Sequence, residues 1–249
     1  GGSFCTQPGA KWLPLAGECH YAATPPAFLW WGKIPMGLGL SVGAQDRYAA
    51  GHGRMFVRIN SLWPIVDAQG AEIAQSALGR LLAEGPLLPT ALLPTFIGSV
   101  ARDTAPSGIS WEAVDVHTAR ATLRDGDLTA TALFHFGPDH LIERVTLDRY
   151  RAAGDRTVLT PFAGRLSDYR DFDGLLLPTQ LEAAWVLPGG EFPFARFSIT
   201  GVRFDDPRGP AELERAETEA SVHGRQAARE QPRPTAVGAA RVRAELAVK

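Results

Sequence analysis

Apolar and polar residues alternate with a period of two along most of this chain, and a single helical stretch interrupts that pattern. Such alternation is typical of antiparallel strands that have one buried face and one solvated face. Apolar residues take helical spacing in the segment that begins at Ala71. We therefore predict a mainly β protein: a curved antiparallel sheet covered by one helix and by a lid rich in leucine and proline.

Short turn signals separate the predicted strands. Ala50-Gly51-His52-Gly53 and Asp125-Gly126 are typical hairpin turns. The 26 glycines and 19 prolines of the 249-residue chain also suit many tight turns. We predict a short edge strand at residues 11–15 and further strands at residues 27–34, 41–48, 54–59, 109–114, 118–123, 128–136, 141–151, 164–170, 175–187 and 194–204.

The helix and the segment that follows it form the predicted cover, residues 71–94. Glu72 lies in the first turn of the helix, and Gly85-Pro86 ends it. The segment from Leu87 to Pro94 is apolar and stiffened by prolines. One apolar stripe is formed by Ile73, Ala74, Ala77, Leu78, Leu81 and Leu82.

A curved sheet is too open to fill its interior with its own side chains, so a long apolar ligand would complete it. The predicted function is therefore the binding of a lipid or another hydrophobic small molecule under the helix and lid. The alternative interpretation is an ordinary hydrophobic core. The candidate ligand-binding residues are Trp30, Trp63, Leu78, Leu82, Leu88, Leu92, Leu93, Phe134 and Trp185.

Catalytic motifs are lacking, so the enzyme alternative depends on isolated carboxylates. The Gly-x-Ser-x-Gly letters occur at residues 39–43, but they lead into a predicted strand and not into the strand-to-helix turn of a nucleophile elbow. Asp67 lies between an apolar run and the predicted helix, where it would cap that helix or project into the cavity mouth. At the cavity mouth, loss of solvation would raise its pKa and suit it to acid or base chemistry. Asp168 is the second candidate, in an aspartate-rich turn.

Other function classes have little support in the sequence. The formal net charge of −2 gives no general attraction to nucleic acid, and no phosphate-binding loop is present. His135 and His140 flank one turn without further ligands nearby, so neither a metal nor another cofactor is predicted. Cys5 and Cys19 are interpreted either as a disulfide or as two free thiols.

The composition changes near Asp206, which divides the chain into two parts. Residues 1–205 are predicted to form one β-rich domain. Residues 206–249 are charged, rich in alanine and poor in large apolar residues, which predicts a solvated tail or an arm that docks on a protein partner. The longest apolar runs are too short to cross a bilayer. The start at Gly1-Gly2-Ser3 is compatible with an upstream export signal or anchor.

The tripeptide Asp-Arg-Tyr occurs twice, at Asp46 and at Asp148. Adjacent residues of a strand point to opposite faces of the sheet. The aspartate and the arginine of each tripeptide therefore need separate partners, and an ion pair within one tripeptide is not expected.

Several short motifs occur in one order along the chain: Lys11-Trp12-Leu13-Pro14, Pro26-Ala27-Phe28-Leu29-Trp30, Asp46-Arg47-Tyr48, Gly53-Arg54-Met55, Pro64-Ile65-Val66-Asp67-Ala68, Pro89-Thr90-Ala91-Leu92-Leu93 and Ser167-Asp168-Tyr169-Arg170-Asp171-Phe172-Asp173-Gly174. These motifs resemble an uncharacterised bacterial protein family, over residues 11–204 and without the tail. The strand series with an early helix also resembles the half-barrel fold of LolA-like lipoprotein carriers, which implies a half-barrel sheet around a cavity for acyl chains. We expect a bacterial protein of the periplasm or cell envelope rather than of the cytoplasm.

Overall fold

The computed structural model describes residues 1–22, 26–87, 107–153 and 156–204, and these residues confirm the mainly β architecture. Helix α1 spans Ala71–Ala83, and a short 3₁₀ helix follows at Gly85–Leu87. The strands are β1 (Gly2–Phe4), β2 (Leu13–Ala22), β3 (Ala27–Gly37), β4 (Leu40–Ala49), β5 (His52–Ile59), β6 (Trp63–Gln69), β7 (Ser107–Asp115), β8 (Thr118–Asp125), β9 (Leu128–Phe136), β10 (Ile142–Ala153), β11 (Arg156–Phe172), β12 (Leu175–Leu187) and β13 (Gly190–Ser198).

The 13 strands form one antiparallel sheet in the order β6-β5-β4-β3-β2-β1-β13-β12-β11-β10-β9-β8-β7. Strands that are consecutive in the sequence pair with each other, except β6 and β7, which form the two edges of the sheet. At the centre, β1 also pairs with β13. Ser3 lies opposite Arg196 there, and the N-terminal amine of Gly1 donates to the Ser198 carbonyl at 3.0 Å. The first and last described strands thus join the two halves of the sheet.

Helix α1 lies against the strands of the N-terminal half because Gly53 leaves room for it. A Cβ atom at Gly53 would lie 2.7 Å from Ala74 Cα and 2.8 Å from the Ile73 carbonyl oxygen. The helix begins after Gly70, whose φ of 113° is in the region that favours glycine. We call the sheet face that α1 covers the inner face.

The sheet curls because α1 and one tyrosine connect its two halves. Ser76 Oγ donates to the Tyr150 carbonyl of β10 at 2.8 Å, while the same helix packs on β4 and β5. Tyr48 of β4 donates its hydroxyl hydrogen to Asp125 Oδ2, at the end of β8, at 2.6 Å. These contacts accompany a curled, half-barrel sheet, the architecture that the fold resemblance implies.

The structure also contains strands that the sequence pattern does not predict. Strand β1 has three residues, too few to show a period of two. Strand β6 begins with the wholly apolar run Trp63 to Val66, and as the edge strand it tolerates Pro64. Strand β11 extends over 17 residues, well beyond the predicted 164–170. The short edge strand predicted at 11–15 is wrong, because β2 has 10 residues and lies between β3 and β1 inside the sheet.

Residues 1–151 and 157–202 form the compact unit to which the inner face belongs. The predicted tail, residues 206–249, lies outside the described residues. No described helix is both long enough and apolar enough to cross a membrane.

Candidate functional site

Neighbouring strands place polar residues in register on the inner face, although that face is largely apolar. Gly53, which contacts α1, lies opposite Tyr48 of β4. Two residues along β4, Asp46 has the same orientation and lies opposite Trp30 of β3. Trp30 in turn lies opposite Cys19 of β2. A row of Cys19, Trp30 and Asp46 therefore crosses three strands beside the helix.

Arg80 of α1 links this row to the helix through two ion pairs. Its Nη1 donates to Asp46 Oδ2 at 2.9 Å, and its Nε donates to Glu84 Oε1 at 2.9 Å. The side chains of Arg80 and Asp46 are only 13% and 7% exposed. Burial by itself lowers the pKa of Arg80, but Glu84 and Asp46 outweigh it and raise that pKa above its usual range. Arg80 therefore stays charged inside the protein.

Tyr21 completes the hydrogen bonds of Glu84 by donating its hydroxyl hydrogen to Glu84 Oε2 at 2.8 Å. Burial, together with the nearby Cys19 and Glu84, raises the pKa of Tyr21. Burial also raises the pKa of the Cys19 thiol, and Glu84 adds to that effect. Both groups are therefore neutral at physiological pH, and Cys19 has none of the thiolate character of a reactive cysteine.

Arg149 of β10 adds a second cation to the same interior. Its Nε donates to the Ser76 carbonyl at 3.1 Å, and its guanidinium lies 4.9 Å from the Phe162 ring centroid and 5.9 Å from that of Trp185. A Cβ atom at Gly79 would lie 3.2 Å from Leu147 Cδ1, so this glycine lets β10 lie close to α1. Together, these side chains form the interior polar cluster: Cys19, Tyr21, Asp46, Arg80, Glu84 and Arg149.

Burial lowers the pKa of Arg149 to about 10, and the positive charge of Arg80 adds to that effect. For Asp46, burial raises the pKa and the ion pair with Arg80 opposes this rise. The cluster thus combines one ion-paired arginine with a second arginine that has a carbonyl and aromatic rings around it.

Large apolar side chains surround the polar cluster and keep part of their surface accessible. Trp185 stacks on Phe194 with the ring centroids 5.4 Å apart, and Phe162 meets Trp185 edge-on at 5.6 Å. The partly buried side chains that pack against the core include Trp30, Trp111, Phe136, Leu181, Trp185 and Phe194.

The predicted ligand-binding residues occupy three kinds of position. Trp30 and Trp185 lie on the inner face beside Arg80 and Arg149, respectively. Trp63 lies on the edge strand β6 and is 59% exposed. Three of the predicted residues are fully buried in the core: Leu78, Leu82 and Phe134. The other three, Leu88, Leu92 and Leu93, lie outside the described residues.

Asp67 differs from both sequence-based expectations. Gly70 is the N-cap residue of α1 and no side chain caps the helix, so Asp67 does not cap it. Asp67 lies opposite Phe56 in the β5–β6 register, on the face away from α1. It accepts hydrogen bonds from Arg54 Nε at 2.8 Å and Nη2 at 3.0 Å, and these bonds lower its pKa instead of raising it.

Asp168 is also held by an ion pair, at an irregular position of β11. It has a φ of 54°, and its carboxylate accepts hydrogen bonds from Thr179 Oγ1 at 2.8 Å and Arg170 Nη2 at 2.7 Å. Those two bonds lower its pKa. The carboxylate with a pKa raised by burial is Asp46, which the sequence analysis did not select.

The cysteines are free thiols, so of the two interpretations the disulfide is wrong. Cys5 is buried near the carbonyls of Gln7 and Ala10, remote in the register from Cys19. Within the described ranges, no three His, Cys, Asp or Glu side chains converge in a way that would hold a metal ion.

The repeated Asp-Arg-Tyr tripeptide was the sequence signal for the interior polar cluster. In β4 the inner-face residues are Asp46 and Tyr48, whereas in β10 the inner-face residue is Arg149 and Asp148 is exposed. The two copies thus contribute opposite charges to one interior. The pattern alone did not indicate which residue of each copy faces inward.

Comparison with known proteins places the chain in a family without assigning it an activity. Searches of curated proteins and of solved structures gave no match. They therefore show no relation to the LolA-like carriers. A family model does match residues 1–197, which include nearly all of the described sheet. The chain therefore belongs to the family of unknown function DUF6544.

Proposed function

We propose that this protein binds a hydrophobic molecule, such as a lipid, on the inner face of the half-barrel beside α1. The observation that carries the proposal is the set of large apolar side chains that face inward and keep accessible surface, among them Trp30, Trp185 and Phe194. Covering apolar surface is favourable by roughly 25 cal/mol per Å². A ligand that lies against these rings would gain this free energy.

The dimensions of the sheet support this function. Adjacent strands are about 4.8 Å apart, so 13 strands span a width of about 58 Å. A single helix is about 10–12 Å across with its side chains. Helix α1 therefore covers only part of the inner face. The resemblance to LolA-like carriers points to the same ligand class, as an analogy of fold alone.

The test uses an uncharged apolar probe, N-phenyl-1-naphthylamine, whose fluorescence rises in apolar surroundings. We expect the native protein to increase this fluorescence, and Ala183→Trp to weaken binding by roughly tenfold or more. Ala183 lies on the inner face next to the core and keeps accessible surface, so an indole there would occupy the ligand's space.

The matched control is Gln180→Trp, which adds the same side chain to an exposed position of the same strand. It should bind the probe as the native protein does. Native mass spectrometry after gentle purification, followed by organic extraction, would identify any lipid that remains bound. Absence of both a fluorescence increase and a bound lipid would overturn the proposed function.

A further inference from the structure

Arg149 has more hydrogen-bond donors than the described protein groups use. A guanidinium carries five N–H donors. In the part of the chain that the structure describes, Arg149 donates only from Nε, to the Ser76 carbonyl at 3.1 Å. The residue is half-buried, so part of its surface stays accessible, and no hydrogen bond within the described residues occupies Nη1 or Nη2.

The carboxylates of the interior polar cluster are already occupied by other partners. Asp46 accepts from Arg80, while Glu84 accepts from Arg80 and Tyr21. Among the described residues Arg149 forms no ion pair of its own, in contrast to Arg80. A charged guanidinium in an apolar interior is stabilised when a carboxylate or phosphate accepts two of its hydrogen bonds.

The surroundings of Arg149 suit a ligand that has both a charged end and an apolar chain. Phe162 and Trp185 lie against the guanidinium, and Trp185 continues into Phe194 by stacking. A ligand whose head group accepts hydrogen bonds from Nη1 and Nη2 would therefore place its apolar chain against these aromatic rings. Arg149 also remains protonated at neutral pH, since its pKa is about 10.

We propose that Arg149 binds the anionic head group of a single-chain amphiphile, a carboxylate or phosphate, whose apolar chain lies along Trp185 and Phe194. This inference depends on the proposed function, because the chain occupies the same inner face. It also fixes the orientation of the ligand, whose charged end lies at β10 and α1.

The experiment compares oleic acid, oleyl phosphate and oleyl alcohol, which share one chain and differ in the head group. Binding is measured by displacement of N-phenyl-1-naphthylamine or by calorimetry, below the critical micelle concentration of each ligand. We expect the native protein to bind the better anion roughly 10- to 100-fold more tightly than the alcohol, as a charged hydrogen bond would give. The stronger anion identifies the head group as carboxylate or phosphate.

Substitution then assigns the preference to one side chain. Arg149→Gln should remove the preference for the anion and leave alcohol binding within about twofold, while Arg149→Lys should keep part of the preference. The control Arg165→Gln removes an arginine from the exposed outer face and should change neither affinity. Circular dichroism and thermal unfolding verify that each variant is folded.

The outcomes separate the two proposals. If the native protein binds none of the three ligands and no apolar probe, the proposed function fails. If it binds acid, phosphate and alcohol equally well, the proposed function holds and the role of Arg149 is refuted. Since this comparison uses the native protein alone, the result stands even if Arg149→Gln does not fold. A preference for anions that survives in folded Arg149→Gln would also refute the role of Arg149.

Discussion

The sheet has ionic networks on both of its faces, and the two differ in how much of each charge meets solvent. On the outer face, Glu191 and Glu182 alternate with arginines across β10 to β13, and the side chain of Arg196 is 53% exposed. In the interior polar cluster, the side chain of Asp46 is 7% exposed. The members of the outer ladder are Arg144, Glu191, Arg165, Glu182 and Arg196.

This difference in solvent exposure determines how much each ionic network contributes to stability and which of its charges is available for a function. Exposed ion pairs contribute about 0–1 kcal/mol each, since water screens them and the side chains lose entropy. Buried charges are costly to leave without partners, so each must be matched inside the protein. The outer ladder can therefore lose members at little cost. The interior polar cluster cannot. Arg149 stands out in it because no carboxylate of the described residues forms an ion pair with it.

The largest effect should come from Arg80→Met, which leaves Asp46 and Glu84 buried without their cation. We expect the free energy of unfolding to fall by about 3–5 kcal/mol at neutral pH. Urea denaturation would measure it, with Arg165→Met of the outer ladder as the control at less than about 2 kcal/mol for its two exposed pairs. Equal losses in the two variants would contradict the distinction between the faces.

The pH dependence of this loss of stability provides a second test of the ion pair between Arg80 and Asp46. Removal of Arg80 takes away the interaction that holds down the pKa of Asp46, so burial raises that pKa further. A carboxyl group with a pKa raised in the folded state binds its proton more readily there than when unfolded. The deficit of Arg80→Met relative to the native protein should therefore shrink as the pH falls from 7 towards about 4, the unfolded pKa of an aspartate.

A smaller loss is expected for Tyr48→Phe, which removes the 2.6 Å hydrogen bond between β4 and Asp125 of β8. A hydrogen bond to a carboxylate is worth about 1.5–3 kcal/mol. The control Tyr169→Phe removes a 2.7 Å bond to the neutral Ile142 carbonyl and should cost about 0.5–1.5 kcal/mol. Urea denaturation of both variants would test the order. A larger loss for Tyr169→Phe would contradict the role of Tyr48 in joining the halves.

Much of the fold could be predicted from the sequence because its strands are long and half-buried. Alternation in residues 128–136 and 175–187 indicated strands that the structure confirms. The helix was predictable from its apolar stripe and from Gly85-Pro86 at its end. The pairing of β1 with β13 was not predictable, because it joins residues almost 200 positions apart through a three-residue strand.

The site was less predictable because the orientation of a polar residue depends on strand register. The two Asp-Arg-Tyr tripeptides have the same letters, yet Asp46 faces inward in one and Arg149 in the other. Arg80 looked like an ordinary helix residue near a C-terminus, where the helix dipole favours a cation. Its partner Glu84 follows at i+4, a spacing that can be read from the sequence, whereas the proximity of Asp46 of β4 appears only in three dimensions.

Glu191→Gln tests the outer ladder directly, since Glu191 pairs with both Arg144 and Arg165. These arginines lower the pKa of Glu191. We expect a loss of less than about 2 kcal/mol in low salt, because two exposed pairs contribute at most about 1 kcal/mol each. The loss should fall further in about 1 M salt, where the screening length is about 3 Å. A loss that salt does not reduce would place Glu191 among the buried charges.

The smallest effect is expected for Asp67→Asn, on the edge strand of the outer face. Hydrogen bonds from Arg54 lower the pKa of Asp67, so the folded protein binds this proton less readily than the unfolded chain. The stabilisation is therefore fully present above the unfolded pKa of about 3.9 and is lost as the pH falls through the lower folded value. Since the side chain is 43% exposed, we expect a deficit of less than about 1 kcal/mol at pH 7.

Urea denaturation of Asp67→Asn and of the native protein, from pH 7 down to about 3, would measure this deficit, which should shrink as the pH falls. The opposite slope, with the variant more stable than the native protein at neutral pH, would mean that Asp67 has a raised pKa. Asp67 would then resemble Asp46 rather than the exposed carboxylates. The distinction between buried inner charges and exposed outer charges would then not hold at this edge of the sheet. The ion pair with Arg54, at 2.8 Å, favours the first result.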